Sequence, residues 1–368
     1  LLGADRADSG TISLDGESLR LRSPRDAIRA GICLLTEDRK HQGLVIDASV
    51  RENFGLPNLK KLSSWGLVNR RRERSWLAER VEKLKIRIPH QEQLVRNLSG
   101  GNQQKVVLAK WLSVGSLVAL AAVISALIIR DMGGRTAAGI PMVLLASIAG
   151  MSICALAGAY HGVLITAFRV PSFVVTLGMM MVARGAARWF SNSGSISHLP
   201  ESYFWLGGGW LLGIPNPVLL MVVLYLVAHF VMTRSVFGRH VYAIGRNEEA
   251  ARLSGVPVRR VIIIVYTICG ALAGLGGIVL DSQLAAGDPK YRDMYELEVI
   301  AAFVVGGPSL MGGQGKIFGT LIGAFIIAVI KNGMNLIGLD PDLQFIVLGG
   351  VLTLAVILDA IKRRAGSH

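Results

Sequence analysis

Beyond residue 113 the sequence returns repeatedly to apolar runs longer than a water-soluble core of this size would use. A bilayer core of about 30 Å takes roughly 20 apolar residues in one helix. Crossing helices are expected at 113–129, 137–159 (continuing as helix toward Phe168), 171–190, 217–232, 261–280, 317–336 and 343–361. A further run, 297–305, is too short to cross alone. Such a piece is tolerated as a broken or re-entrant segment only where protein covers its open backbone. Composition agrees: 52% of the 368 residues are hydrophobic and the mean hydropathy is +0.49, above the range of ordinary soluble domains.

Charge follows the same division. Residues 1–112 carry 21 Lys+Arg and 13 Asp+Glu, whereas 113–368 carry 18 and 12 in more than twice the length. A charged, water-facing segment therefore precedes a charge-poor one. The distribution of Lys and Arg sets orientation. The 233–260 loop holds Arg234, Arg239, Arg246, Arg252, Arg259 and Arg260, the 191–216 loop has no Lys or Arg, and the tail ends in Lys362-Arg363-Arg364. That pattern puts the loop, the tail and residues 1–112 in the cytoplasm of a multi-pass protein. Two outer loops dissent mildly: 130–136 with Arg130 and Arg135, and 281–294 with Lys290 and Arg292, offset there by Asp281, Asp288 and Asp293. The net charge of +14 and the run Arg70-Arg71-Arg72-Glu73-Arg74 raise nucleic acid as a partner. Glu73, Glu79 and Glu82 make that run a solvated helix face instead, and nucleic acid is not expected.

Small residues recur at four-residue spacing: Gly158 and Gly162, Gly270 and Gly274, Gly319 and Gly323. In lipid such pairs let helix backbones approach; a glycine-lined conduit is the alternative. Arg184, Arg188 and Lys331 fall toward helix ends and are expected to snorkel. Glu296 and Glu298 suit the N-terminal dipole of the short 297–305 segment, or a place in a transport path. Cys33, Cys154 and Cys269 are too scattered for a disulfide framework or a metal site, and buried reduced thiols are expected. The first residue is Leu1 rather than Met and no signal-peptide pattern is read there, so a fragment or a misassigned start is expected.

In the polar part, "SGTISLDGESL" reads as a hairpin and "SPRDAIRAG" as a helix capped by Ser23, with Pro24 first and Gly31 past its end. "ICLL" reads as a buried strand, "TEDRKHQGL" as a loop, "SVRENFGL" as a helix start and 70–88 as an amphipathic helix. "NLSGGNQQKVVLAKWL" is a glycine turn feeding a helix, a geometry that offers free N–H groups to an anion. Residues 101–129 are expected to be largely helical.

The phrase "LSGGNQQK" resembles the signature motif of an ABC-transporter ATP-binding cassette. With "TEDRKHQGL" and "SVRENF", residues 1–112 are similar to the second cassette of monosaccharide-uptake ATPases of the ribose, galactose and xylose type. Residues 113–368 resemble the permease subunit of the same importers, through "LSVGSLVAL", "TRSVFGRHVYAIGRNEEAARLSGVPV", "YELEVIAAFVVGGPSLMGGQGKIFGTLIGA" and "KNGMNLIGL". The resemblance implies an α-helical polytopic membrane protein preceded by a partial α/β ATP-binding cassette. The join lies at 112/113, with Walker A, Walker B and the first permease helices lacking. It implies that Leu98, Ser99, Gly100, Gly101, Asn102 and Gln103 touch ATP only in trans, on a partner cassette. Glu37 stands at a Q-loop-like position. Asn247, Glu248, Glu249, Ala250, Ala251, Arg252, Leu253, Ser254 and Gly255 form the coupling loop that docks on a cassette.

The implied setting is the bacterial inner membrane. The implied partners are a complete sugar-importer ATP-binding protein, a second permease copy, a periplasmic sugar-binding protein and the lipid bilayer. No catalytic residue or metal site is expected, and ATP/Mg belongs to the partner cassette only. Three functional readings fit: a transmembrane component of an ATP-driven monosaccharide importer, an inactive fusion or assembly product, and a membrane-tethered interaction protein with a basic cytosolic domain. No GxxxxGK[ST] string occurs in these 368 residues; in "GGQGKIF" Leu310 and Ile317 stand where that pattern needs Gly and Ser/Thr. The isolated chain is therefore expected to hydrolyse no ATP, and phosphate release above background in a malachite-green assay would overturn this.

Overall fold

The computed structural model describes residues 11–14, 17–19, 21, 23–30, 32, 45, 48–83, 114–132, 140–168, 170, 172–197, 199–288, 295–307, 315, 317–340, 343–344, 346–354 and 357. In the N-terminal part, strands β1 (Ile12–Leu14) and β2 (Glu17–Leu19) form the expected hairpin, with Ile12 opposite Leu19. Helix α1 (Pro24–Arg29) starts where expected: the Asp26 N–H donates to Ser23 Oγ at 3.3 Å and Pro24 stands in the first turn. Ala30 closes it; Gly31 and the "ICLL" strand residues 33–35 lie outside the described residues. Helix α2 (Val50–Leu62) opens with a reciprocal cap between Ser49 and Glu52. A tight hairpin, β3 (Ser63–Ser64) and β4 (Leu67–Val68), leads into α3 (Arg70–Lys83).

The apolar part follows the expected order. Helices α4 (Val114–Asp131), α5 (Ile140–Phe168), α6 (Ser172–Phe190), α8 (Asn216–Arg234), α11 (Val258–Leu284), α12 (Tyr295–Val305) and α13 (Ile317–Leu336) fall on the predicted runs. Four of them, α5, α8, α11 and α13, are long and apolar enough to cross a bilayer by length and composition. The 191–216 loop is more structured than expected. It holds the short helix α7 (Glu201–Gly208) and a hairpin of β5 (Trp210–Leu211) and β6 (Ile214–Pro215). Between α8 and α11 lie α9 (Val236–Arg246) and α10 (Glu248–Leu253).

Helix α4 is the centre of the bundle. Ala121, Ala122, Val123, Ala126 and Ile129 are wholly buried, and α4 packs against α5, α6 and α11. A helix apolar on every side is stable only when surrounded. The longest shared surface joins α5 to α11, and glycine sets its spacing. A Cβ on Gly158 would lie 2.2 Å from the Tyr266 carbonyl oxygen, and one on Gly270 2.2 Å from that of Cys154. The two predicted glycine pairs therefore face each other and serve packing rather than a conduit. The third does the same between α13 and α12, where a Cβ on Gly323 would meet the Ala302 carbonyl oxygen at 2.0 Å.

Two polar expectations are corrected. Lys331 is paired with Glu298 of α12 rather than snorkelling alone. Two carboxylate and ammonium groups on packed helices satisfy each other more readily than either satisfies itself in lipid. Asp281 is not a loop countercharge. It sits in the last turn of α11, fully buried.

Both tight hairpins, β3–β4 and β5–β6, turn on two residues with positive φ: Trp65 (53°) with Gly66 (77°), and Leu212 (53°) with Gly213 (75°). Left-handed backbone costs a non-glycine residue roughly 1–2 kcal/mol. The glycine seam yields a direct test. Gly270→Ala is expected to destabilise the bundle by about 1–3 kcal/mol through overpacking. Gly178 on α6 has nothing within 4 Å of the same position, and Gly178→Ala is expected to be neutral or mildly stabilising. Thermal unfolding in detergent, with both variants side by side, reads the difference.

Candidate functional site

The residues expected to form the coupling loop come together as one docked element. Asn247 caps α10: the Ala250 N–H donates to Asn247 Oδ1 at 3.0 Å. Glu248 and Glu249 stand in the first turn and Arg252 in the last, the order a helix dipole favours. Arg252 pairs with Glu249 at 2.8 Å. The Ser254 hydroxyl donates to the Ala250 carbonyl, and Gly255, at φ +81°, turns the chain out toward α11. Ala250 and Ala251 are wholly buried. Their small side chains let α10 lie close against the N-terminal part.

That contact has an apolar floor and a charged wall. Val45, Ala48, Leu56 and Leu59 from the N-terminal part share one buried cluster with Ala243, Ala250, Ala251 and Val256. Gly255 brings its backbone within reach of Ile28 on α1. On the charged side, Glu73 of α3 is fully buried. Arg239 of α9 donates to both of its oxygens, at 2.9 and 3.3 Å, and Arg51 of α2 donates from the other side. Gly55 makes the room: a Cβ there would lie 2.0 Å from Glu73 Oε1. Arg246 pairs with Glu52 at 3.3 Å. Backbone completes the join, since the Val236 N–H donates to the Gly66 carbonyl at 2.8 Å and Leu67 bridges Ser235. Arg70 also donates to the Thr233 carbonyl at 2.8 Å.

The electrostatics favour the docked form near neutral pH. Burial alone would raise the Glu52 carboxyl, but Arg239, Arg246, the Ser49 backbone and Arg51 together hold it below its ordinary value. Burial, with Arg25 of α1 facing it, pushes His240 of α9 down to about 4. A buried carboxylate, two guanidinium groups and a backbone bridge thus join α2 and α3 to α9 and α10. Those two helices lie between α8 and α11 in the chain, and α8 and α11 belong to the bundle.

A second polar group lies inside the bundle. The Tyr203 hydroxyl of α7 donates to Asp281 Oδ2 of α11 at 3.1 Å, and Ser125 of α4 reaches both, at 3.1 and 3.4 Å. Ser282 donates to the Tyr203 carbonyl at 2.5 Å and accepts from the Gly207 N–H at 2.7 Å. The group pins α7 across the ends of α4 and α11. Beside it, a cleft of about 550 Å³ between α4, α8, α11 and α13 presents Tyr225, Gln283 and Thr320 among aliphatic side chains. Among the described residues no His/Cys/Asp/Glu cluster could hold a metal. Cys154 is buried and Cys269 half-buried, and neither is in a disulfide.

Residues Glu37, Leu98, Ser99, Gly100, Gly101, Asn102 and Gln103 lie outside the described residues. Sequence reading missed Arg51, Glu52, Glu73, Arg239 and Arg246 as a network. Of the run Arg70–Arg74, Arg70, Arg71, Arg72 and Arg74 are exposed as expected, but Glu73 turns inward. It also missed Asp281, whose signal was available: a carboxylate at the end of an otherwise apolar run.

Residues 111–356 match the family described as branched-chain amino acid transport system / permease component, and residues 1–121 match the ABC transporter family. The two matches overlap at 111–121, around the expected join. The ribose import permease protein RbsC of Escherichia coli (strain K12) is 40% identical over 257 residues, covering 68% of this chain and 77% of that protein. RbsC of Bacillus subtilis (strain 168) is 40% identical over 253 residues, with 68% and 76% covered. The L-arabinose ABC transporter permease protein AraH of Azospirillum brasilense is 38% identical over 252 residues, with 68% and 72% covered. No solved structure matches the chain.

The docked surface generates two predictions. Glu73→Ala removes the buried carboxylate that Arg51 and Arg239 share, leaving Arg51 its longer contact with Glu52, and is expected to weaken docking by about 3 kcal/mol, whereas Arg239→Ala leaves Arg51 on Glu73 and is expected to weaken it less. Hydrogen exchange in α2 and α3 reads both. Because His240 is held neutral in the docked form, its contribution is full above pH 6.5 and is lost as pH falls from 6.5 toward about 4, with Glu52 adding a loss below 4.5. Protection factors in the same helices, corrected for the intrinsic pH dependence of amide exchange, are therefore expected to fall at about pH 5 relative to neutral pH.

Proposed function

This chain belongs to the family of branched-chain amino acid transport system permease components, and we propose that it is the transmembrane component of an ATP-driven monosaccharide importer. The observation that carries the reading is the docking of α10 and α9 onto a segment with ABC-transporter sequence. Relatives named as ribose and L-arabinose permeases, at about the same identity, support a pentose-sized sugar as cargo. The chain sits in a bacterial inner membrane, with the 233–260 loop, the N-terminal part and the C-terminus in the cytoplasm. A periplasmic binding protein delivers sugar to the opposite face, and a second permease copy completes the passage. The cleft lined by Tyr225, Gln283 and Thr320 contributes to that passage, offering hydrogen bonds along an otherwise apolar wall.

ATP acts from outside this chain's own residues. Ser99, Gly100 and Gly101 contribute donors in trans to a nucleotide held by a partner cassette. Cassette closure then moves α2 and α3, and the Glu73–Arg239 link passes that motion to α9 and α10.

Uptake of labelled ribose and L-arabinose by cells lacking their own permeases tests this. Expression is expected to restore accumulation of at least one sugar in the presence of its binding protein and ATPase. Ala250→Arg, which no longer fits against the N-terminal part, is expected to abolish uptake while leaving the protein in the membrane. Correct insertion with no uptake of either sugar would overturn the reading.

A further inference from the structure

Two hairpins of this chain share an unusual construction. Each is closed by two residues at positive φ, and the first is a large apolar residue, Trp65 in one and Leu212 in the other. Such turns ordinarily use Asn, Asp or Gly there. Neither side chain is repaid by a core: Trp65 is fully exposed and Leu212 is 91% exposed. Backbone strain that serves to hold a large apolar side chain out of the protein needs a surrounding that welcomes it.

Their positions supply that surrounding. The β5–β6 hairpin ends at Pro215, and α8 begins at Asn216. The β3–β4 hairpin is fastened to the other end of the same helix, through Gly66 to Val236 and Leu67 to Ser235. Nineteen residues separate the two ends, about 28 Å of helix at 1.5 Å per residue. A bilayer's hydrocarbon core is about 30 Å thick. The two tips therefore stand where α8 would leave the hydrocarbon on either side.

The charges around them differ in a consistent way. Residues 53–72 carry Lys60, Lys61, Arg70, Arg71 and Arg72, all exposed, and no Asp or Glu. Trp65 lies in the middle of that stretch. Residues 205–216, around Leu212, carry no charged residue and add Trp205 and Trp210, both more than half exposed. Tryptophan favours the headgroup level of a bilayer, and a basic flank is drawn to anionic lipid.

We propose that the two hairpin tips are lipid anchors, one at each face of the bilayer, and that the Trp65 hairpin seats in a layer of anionic headgroups. The proposal rests on α8 crossing the membrane. Its consequence is that the N-terminal part is held at two places, by α9–α10 and by lipid. Its swing is confined to a pivot about the membrane surface.

Full-length chain in proteoliposomes tests this. Single cysteines at Ser64, Leu211 and Val222 carry an environment-sensitive fluorophore, with the unsubstituted chain setting the labelling background. Nitroxide lipids quench at headgroup or at mid-chain depth. Labels at Ser64 and Leu211 are expected to be quenched severalfold more by the shallow nitroxide, and the label at Val222, a third of the way along α8, by the deep one. Omitting phosphatidylglycerol is expected to weaken quenching at Ser64 and leave Leu211 unchanged. Trp65→Asn and Leu212→Asn suit the turns, so the hairpins persist, and each is expected to reduce shallow quenching severalfold at its neighbouring label. Deep quenching at Val222 with water-like, unquenched labels at the hairpins would overturn the anchors while leaving α8 a span. An unquenched Val222 would remove the span and the proposal together. Hairpin signals that track protein density rather than lipid would assign the tips to another copy, which also overturns the proposal.

Discussion

Backbone lying directly on backbone along α5 and α11 is the contact on which the membrane half depends. Hydrocarbon gives helices no hydrophobic reason to associate, so attraction has to come from close packing. Gly158, Gly162, Gly270 and Gly274 remove the side chains that would hold the two helices apart. With that seam closed, α4 can be enclosed on all sides, and α7 can be drawn over the bundle by Tyr203, Ser125 and Asp281.

The junction between the two halves uses the opposite physics. Glu73 is taken wholly out of water, which is expensive unless charge and hydrogen bonds replace the lost solvent. Arg51 supplies one partner from within the N-terminal part and Arg239 supplies the other from α9. A buried carboxylate shared this way makes the join specific, because a shifted register would leave it facing one guanidinium instead of two. The apolar floor of Ala250, Ala251 and Leu56 supplies area, while the ion pairs supply position.

Much of this was legible in the residues. The apolar runs between 113 and 336 became helices over their described residues, as their length and composition favour, and the short 297–305 run became part of an 11-residue helix. The α10 element was implied by the family resemblance of "NEEAARLSG", and its local capping agrees: Asn247, two glutamates, Arg252 and Gly255 stand in the order that opens and closes one helix. Ser23 and Ser49 were readable for the same reason. The hairpin turns were not, since Trp-Gly and Leu-Gly carry none of the usual turn residues.

The sequence by itself determined which segments are long and apolar enough for hydrocarbon, where helices begin, and which family the chain resembles, because hydrophobic length and end-capping act over a few residues. Only the tertiary structure decided that Glu73 turns inward from an exposed basic run, that Glu298 faces Lys331, and that Asp281 is buried beside Tyr203. Those outcomes join residues 33 to 166 positions apart. A charge's fate depends on what folding brings against it, and no local pattern carries that information.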